Sequence, residues 1–113
     1  MDNILDKFSL AGKKAIVVGG AGDLGKAMVE AIAQAGAQIV VIDIDNRLFQ
    51  ICEGFKDNGL KAFPIKADIS KISEIKNSYE AALQILGGKV DILINAAGIQ
   101  LSLIHISEPT RPY

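Results

Sequence analysis

The sequence has a single cysteine, Cys52, so no internal disulfide can staple the chain. Aromatic residues are few, with no Trp, two Tyr and four Phe, and no basic run stands beside them. A nucleic-acid surface combines cations with stacking rings, so no nucleic-acid partner is expected. No apolar stretch approaches the roughly 20 residues of a membrane span, and residues 1–7 lack the basic and apolar regions of a secretory signal. No membrane partner and no metal site are expected, and the expected location is cytoplasmic. What is present is a nearly neutral chain of 113 residues, net charge −1, half of them hydrophobic. That length suits one small globular domain with a modest core.

Glycine, by contrast, is concentrated. The apolar run Ala15-Ile16-Val17-Val18 stops at Gly19-Gly20, and Gly22 and Gly25 follow before the pattern turns helical. A buried strand, a glycine turn and a helix start are the parts of a phosphate cradle. The glycines let the backbone approach a ligand closely, and the helix offers unpaired N–H groups and its positive dipole end. Residues 20–25 fit G-x-G-x-x-G, a dinucleotide-binding pattern in this strand-to-helix setting. Residues 20–26 also fit G-x-x-x-x-G-K, but a P-loop then needs Ser or Thr for magnesium, and Ala27 has no oxygen. Four glycines in seven residues exceed what a bare turn needs, so dinucleotide phosphate binding is the preferred reading.

Along the chain, strands are expected at 14–18, 38–42, 61–65 and 90–94. Helices are expected at about 22–35, from Asp45 or Asn46 to Asn58-Gly59, and from a Ser70 cap to Gly87-Gly88. Their apolar stripes read Ala27, Met28, Ala31, Ile32 and Ala35; Leu48, Ile51, Cys52 and Phe55; and Ile72, Ile75, Tyr79, Ala82, Leu83 and Leu86. Cys52 and Tyr79 are therefore expected in the core, and Lys26 in solvent. Strands alternating with helices imply a Rossmann-like α/β fold, a doubly wound parallel sheet of order 3-2-1-4 that stops after its fourth strand. Right-handed crossovers would put the first two helices on one face and the third on the other. The crevice beyond strands 1 and 4 is the switch point where such sheets take ligands.

Asp43 follows Gly25 by 18 residues, at the tip of the second strand, where a carboxylate accepts from adenosine ribose hydroxyls. A carboxylate there repels a 2′-phosphate, which predicts NAD over NADP; the first basic residue beyond it is Arg47. Asp68 either steadies the loop before the third helix or sits by the adenine. Asn95 is a bland loop amide, a strand bridge or a cofactor contact.

Gly19, Gly20, Gly22, Asp23, Leu24, Gly25, Asp43, Asp68-Ile69 and Asn95-Ala96-Ala97-Gly98 together resemble the N-terminal part of a short-chain dehydrogenase/reductase, over about residues 8–100. The resemblance implies a cofactor site at Gly19, Gly20, Gly22, Asp23, Leu24, Gly25, Asp43, Asp68, Ile69, Asn95, Ala97 and Gly98. It also implies NAD(P)-dependent hydride transfer between nicotinamide and an alcohol or ketone substrate, in a homo-oligomer. The lead-in of residues 8–13 looks like that of gluconate and 2-deoxy-gluconate dehydrogenases, suggesting a sugar acid. Two positions depart from the family pattern: Val18 stands where Thr is usual, and Ala96 where a second Asn is usual. The family's catalytic Ser and Tyr-x-x-x-Lys are missing, since Leu83 follows Tyr79 by four residues and Tyr113 is last. No catalytic residue is assigned, and the chain alone is expected to be inactive. Residues 101–111 read like a translated sequencing adaptor, so residues 1–100 are expected to be the NAD-binding part and 101–113 a non-native tail, with no role for His105. The alternative is a non-catalytic nucleotide-binding module on a similar sheet.

Overall fold

The chain is described by a computed structural model, over residues 9–96. Its elements are β1 (Lys14–Val18), α1 (Asp23–Gln34), β2 (Gln38–Asp43), α2 (Arg47–Asp57), β3 (Ala62–Lys66), α3 (Ile72–Ile85) and β4 (Ile92–Asn95). The four strands form one parallel sheet in the order β3-β2-β1-β4, as the alternating sequence pattern predicts. β1 and β2 are apolar without a break because both are central and covered on both faces. Pro64, which has no N–H to give a ladder, lies in β3 at the edge of the sheet.

Strand alternation divides the core in two. Ala15, Val17, Ile39 and Val41 face a cluster with Val29 and Ala33 of α1 and Leu48, Cys52 and Phe55 of α2. Ile16, Val18, Val40 and Ile42 face the other side, with Ala82 of α3 and Leu86 just after it. Two helices therefore cover one face and one helix the other, as right-handed crossovers require. Gly36 closes α1 at φ 110°, a conformation few side chains tolerate. Cys52 is buried and Tyr79 packs at the edge of the second cluster, as expected.

Several details differ from the sequence reading. The buried stripe of α1 is Gly25, Val29 and Ala33, whereas Ala27 and Ala31 are exposed. Close packing of Gly25 sets that face, and the evenly spread alanines hid it. Ser70 does not cap α3; the N-cap position is Lys71, and the Ser70 hydroxyl donates to Asp68 Oδ1 at 2.6 Å. On α3, Ile72 is 85 % exposed and Leu83 is also exposed, so the buried face is Ser78, Ala82 and Leu86. Asn46 occupies the N-cap position of α2 without a side-chain cap bond. The backbone N–H of Arg47 donates to Asp45 Oδ1 at 2.9 Å instead. β3 and β4 begin one and two residues later than expected.

Candidate functional site

At the carboxyl end of β1 the chain turns on glycines that serve different ends. Gly19 adopts φ 81° and its N–H donates to the Ile42 carbonyl at 2.7 Å, tying the turn to β2. A Cβ on Gly20 would collide with the Val41 side chain, and one on Gly25 with the Gly19 carbonyl oxygen. Both glycines are therefore required by packing. Gly22, the N-cap of α1, has φ −75° and ψ 167°, a conformation open to any residue. The first helical bond runs from the Lys26 N–H to the Gly22 carbonyl at 2.8 Å. The N–H groups of Asp23, Leu24 and Gly25 precede it and have no acceptor within the helix. The turn thus presents donors and a positive dipole end toward the strand tips.

Asp43, the last residue of β2, links this turn to the next loop. Its Oδ2 accepts from the Ala21 N–H at 2.9 Å and its Oδ1 from the Asp45 N–H at 3.0 Å. A carboxylate has about four acceptor sites, so both oxygens retain capacity for a ligand hydroxyl. Asp68, just beyond β3, accepts from the N–H and the hydroxyl of Ser70 at 3.0 and 2.6 Å. Those Ser70 bonds lower its pKa from the ordinary carboxylate value. Its own N–H donates to Glu74 Oε1 at 2.9 Å, fastening the loop to α3.

These loops enclose a crevice of about 260 Å³ lined by Gly19, Gly22, Asp43, Asp68 and Ile69, together with Ile44, Asp45 and Arg47. Five of the residues nominated from sequence therefore meet in one cavity. Gly20 and Gly25 are buried beneath the turn, and Asp23 and Leu24 open α1 exposed. Asn95 ends β4 in register with Val18, directly before the glycine turn. Ala97 and Gly98 lie outside the described residues, as does the stretch 101–113. Ile44, Asp45 and Arg47 line the crevice without being marked by the motif; Ile44 and Asp45 lie in the loop after β2 and Arg47 opens α2, which the topology delivers to this edge. The Arg47 guanidinium donates from Nε and an Nη to Asp45 Oδ2 at 2.9 and 2.8 Å. That pairing lowers the Asp45 pKa and raises that of Arg47.

A larger groove, about 580 Å³, runs between α1 and α2 past Lys26, Glu30, Gln34, Ile51 and Phe55. It lies off the strand tips, and the loops that converge on the smaller crevice do not reach it. Cys52 is buried in the core beside Leu48 and Phe55, and burial pushes its thiol up to about 11, so it is placed for packing and away from the crevice. Among the described residues no helix is long and apolar enough to cross a membrane.

The sequence profile of the family described as short chain dehydrogenase matches residues 13–111. The chain is 32 % identical over 100 residues to 3beta-hydroxysteroid dehydrogenase 2 of Eggerthella lenta, covering 88 % of this chain and 38 % of that protein. It is 38 % identical over 88 residues to the (S)-acetoin-forming diacetyl reductase of Staphylococcus epidermidis, covering 77 % of this chain and 34 % of the relative. The crystal structure of a hydroxysteroid dehydrogenase from Escherichia coli superposes with a TM-score of 0.75 at 35 % identity, over 80 % of this chain and 38 % of that one. The chain thus spans between 34 % and 38 % of the length of these relatives. The resemblance to gluconate dehydrogenases in particular is not matched by these relatives, which are named for steroid and diacetyl chemistry. With the sheet order, the glycine turn and the strand-tip carboxylates in their places, the chain belongs to the short-chain dehydrogenase family.

Proposed function

We propose that this chain is the N-terminal, cofactor-binding part of an NAD-dependent oxidoreductase that interconverts an alcohol and a ketone. The observation that carries the reading is the convergence of Gly19, Gly22, Asp43 and Asp68 on one crevice at the tips of β1, β2 and β3. The cradle fits a pyrophosphate: Gly22 has no backbone need to be glycine, and unpaired N–H groups of α1 follow it. Asp43 would accept from the ribose hydroxyls, and Asp68 and Ile69 would flank the adenine. Asn95, Ala97 and Gly98 would continue the site toward the nicotinamide. Bound NAD would supply the hydride acceptor. The residues of this chain hold and orient it, and the proton-transfer groups are to be sought outside the sequence given. The chain by itself would then bind without turnover.

NAD rather than NADP is supported by charge. The carboxylates of Asp23, Asp43 and Asp45 all lie near Arg47, so a 2′-phosphate would meet net negative charge. A small alcohol or ketone is the proposed substrate class, a sugar acid being supported by the lead-in of residues 8–13 alone. A homo-oligomer and a cytoplasmic location complete the proposal. Titration calorimetry with NAD and NADP on the full-length protein tests it. NAD should bind at least tenfold more tightly, since the ribose hydroxyl's hydrogen bond to the Asp43 carboxylate, worth about 1.5–3 kcal/mol, is lost when a phosphate replaces it; equal affinities would remove the selectivity, and no binding of either would remove the reading.

A further inference from the structure

The crevice has one cation among its described lining residues, Arg47, and that cation is not presented to a ligand. Its Nε and an Nη both donate to Asp45 Oδ2, while Asp45 Oδ1 accepts the Arg47 backbone N–H. Asp45 therefore binds both ends of the same residue. The Arg47 side chain is nonetheless 68 % exposed and that of Asp45 36 %. Among the described residues its hydrogen bonds all go to Asp45, and exposed ion pairs of this kind add little to stability, so the guanidinium is released at small cost. Two further cations near the loop are engaged elsewhere: Lys66 Nζ donates to Asn46 Oδ1 at 2.7 Å, and Lys71 pairs with Glu74.

NADP differs from NAD by a 2′-phosphate on the adenosine ribose, and a planar guanidinium is the side chain best suited to hold a phosphate with two parallel bonds. Asp43, the candidate ribose acceptor, lines the same crevice as Arg47, and its Oδ1 accepts the N–H of Asp45, whose own carboxylate holds the guanidinium. With the ribose on Asp43, a 2′-phosphate would enter the part of the crevice that Asp45 and Arg47 line. We infer that Asp45 is a specificity-determining residue that masks Arg47, so that the site refuses 2′-phosphorylated dinucleotides although it carries an arginine able to hold one. This rests on the dinucleotide reading above.

Asp45→Asn tests it, because Asn retains an oxygen for the Arg47 N–H but loses the charge that grips the guanidinium. Calorimetric Kd values for NADP and NAD are measured on the full-length protein, on Asp45→Asn, on Asp45→Ser and on Asp45→Asn combined with Arg47→Ala. The NADP-to-NAD affinity ratio should rise about tenfold in both single variants, the scale of one charge-assisted contact, and more steeply at low salt. Adding Arg47→Ala should return most of the gain. An unchanged ratio in both single variants, with NAD still bound, overturns the inference. So does a gain that survives Arg47→Ala, which would mean that removing a negative charge alone suffices. If the unaltered protein takes NAD and NADP equally, the NAD-selective reading and this inference both fail, since nothing is then refused; an NAD preference that no variant shifts overturns this inference alone. Loss of binding to both dinucleotides in the unaltered protein ends both.

Discussion

Asp43 does structural work before any ligand arrives. Its two oxygens hold the backbone of Ala21 and of Asp45, joining the glycine turn to the β2–α2 loop. Asp43→Ala should therefore act twice. Loss of these charge-assisted bonds should cost about 1–3 kcal/mol of stability, read as a lower denaturation midpoint. The preference for NAD should also narrow, because repulsion against a 2′-phosphate falls. A stable variant with unchanged preference would show that the carboxylate serves neither role. Cys52 gives a second test at this scale. Its thiol is pushed from 9.0 to about 11 by burial against Leu48, Phe55 and the sheet. Between about pH 9 and 11 the unfolded chain loses this proton while the folded one keeps it, so stability falls as pH rises through that window. A loss on the order of 2 kcal/mol is expected. Cys52→Ala should flatten that part of the stability–pH curve, and an unaltered slope would place its cause elsewhere.

At the scale of elements, the glycine turn separates fold from function. Gly25→Ala should unfold or severely destabilise the domain, since the new methyl meets the Gly19 carbonyl, which is backbone and cannot swing aside. Gly22→Val should leave the circular dichroism spectrum near that of the unaltered protein, because its φ of −75° suits any residue, and should lower stability by about 1 kcal/mol, the worth of an N-cap. NAD affinity should nevertheless fall at least tenfold, the branched side chain occupying the space by which a pyrophosphate approaches the helix. Near-normal affinity in calorimetry would take the cradle out of the site. The motif alone could not make this distinction, for G-x-G-x-x-G lists its glycines as equals. Elsewhere, legibility followed how much each stretch depended on distant packing. β1 matched to the residue because an unbroken apolar run between Lys14 and Gly19 leaves one solution. The α1 face did not, because Ala27, Ala31, Ala33 and Ala35 mark several faces at once. Only the close approach of Gly25 to Gly19 decides among them, and that is a tertiary fact. Ser70 was misassigned because Asp68, two residues earlier, competes for its hydroxyl.

At the scale of the whole sheet, the described residues cover its two faces unequally. α1 and α2 pack on one side, and on the other α3 is the one helix among the described residues. The described sheet ends at β4, where Leu93 is 58 % exposed, and Ile72 on α3 and Ile44 at the crevice rim are more than half exposed. A parallel strand is ordinarily interior and covered on both faces, and an exposed apolar edge invites pairing with another chain. The topology was legible from the alternation of strands and helices, and the site followed from it, since strand order alone brings Asp43, Asp68 and the glycine turn to one edge. Arg47 and Asp45 were not legible as a pair, because neither the period nor the spacing of the loop says which side chains meet. The matched part covers 38 % and 34 % of two of these relatives, which carry further chain beyond it. Produced as the 113 residues given, the protein should therefore self-associate and oxidise or reduce nothing, with no Tyr-x-x-x-Lys in its sequence to move a proton. Sedimentation velocity should show species larger than the 12.0 kDa monomer, growing with concentration. Replacing Leu93 by Lys, which puts a charge on the β4 edge, should reduce that association. A monodisperse monomer with a cooperative melt would mean that one helix suffices to cover the second face. Substrate-dependent production of NADH by the same sample would mean that the groups that move the proton lie within these residues.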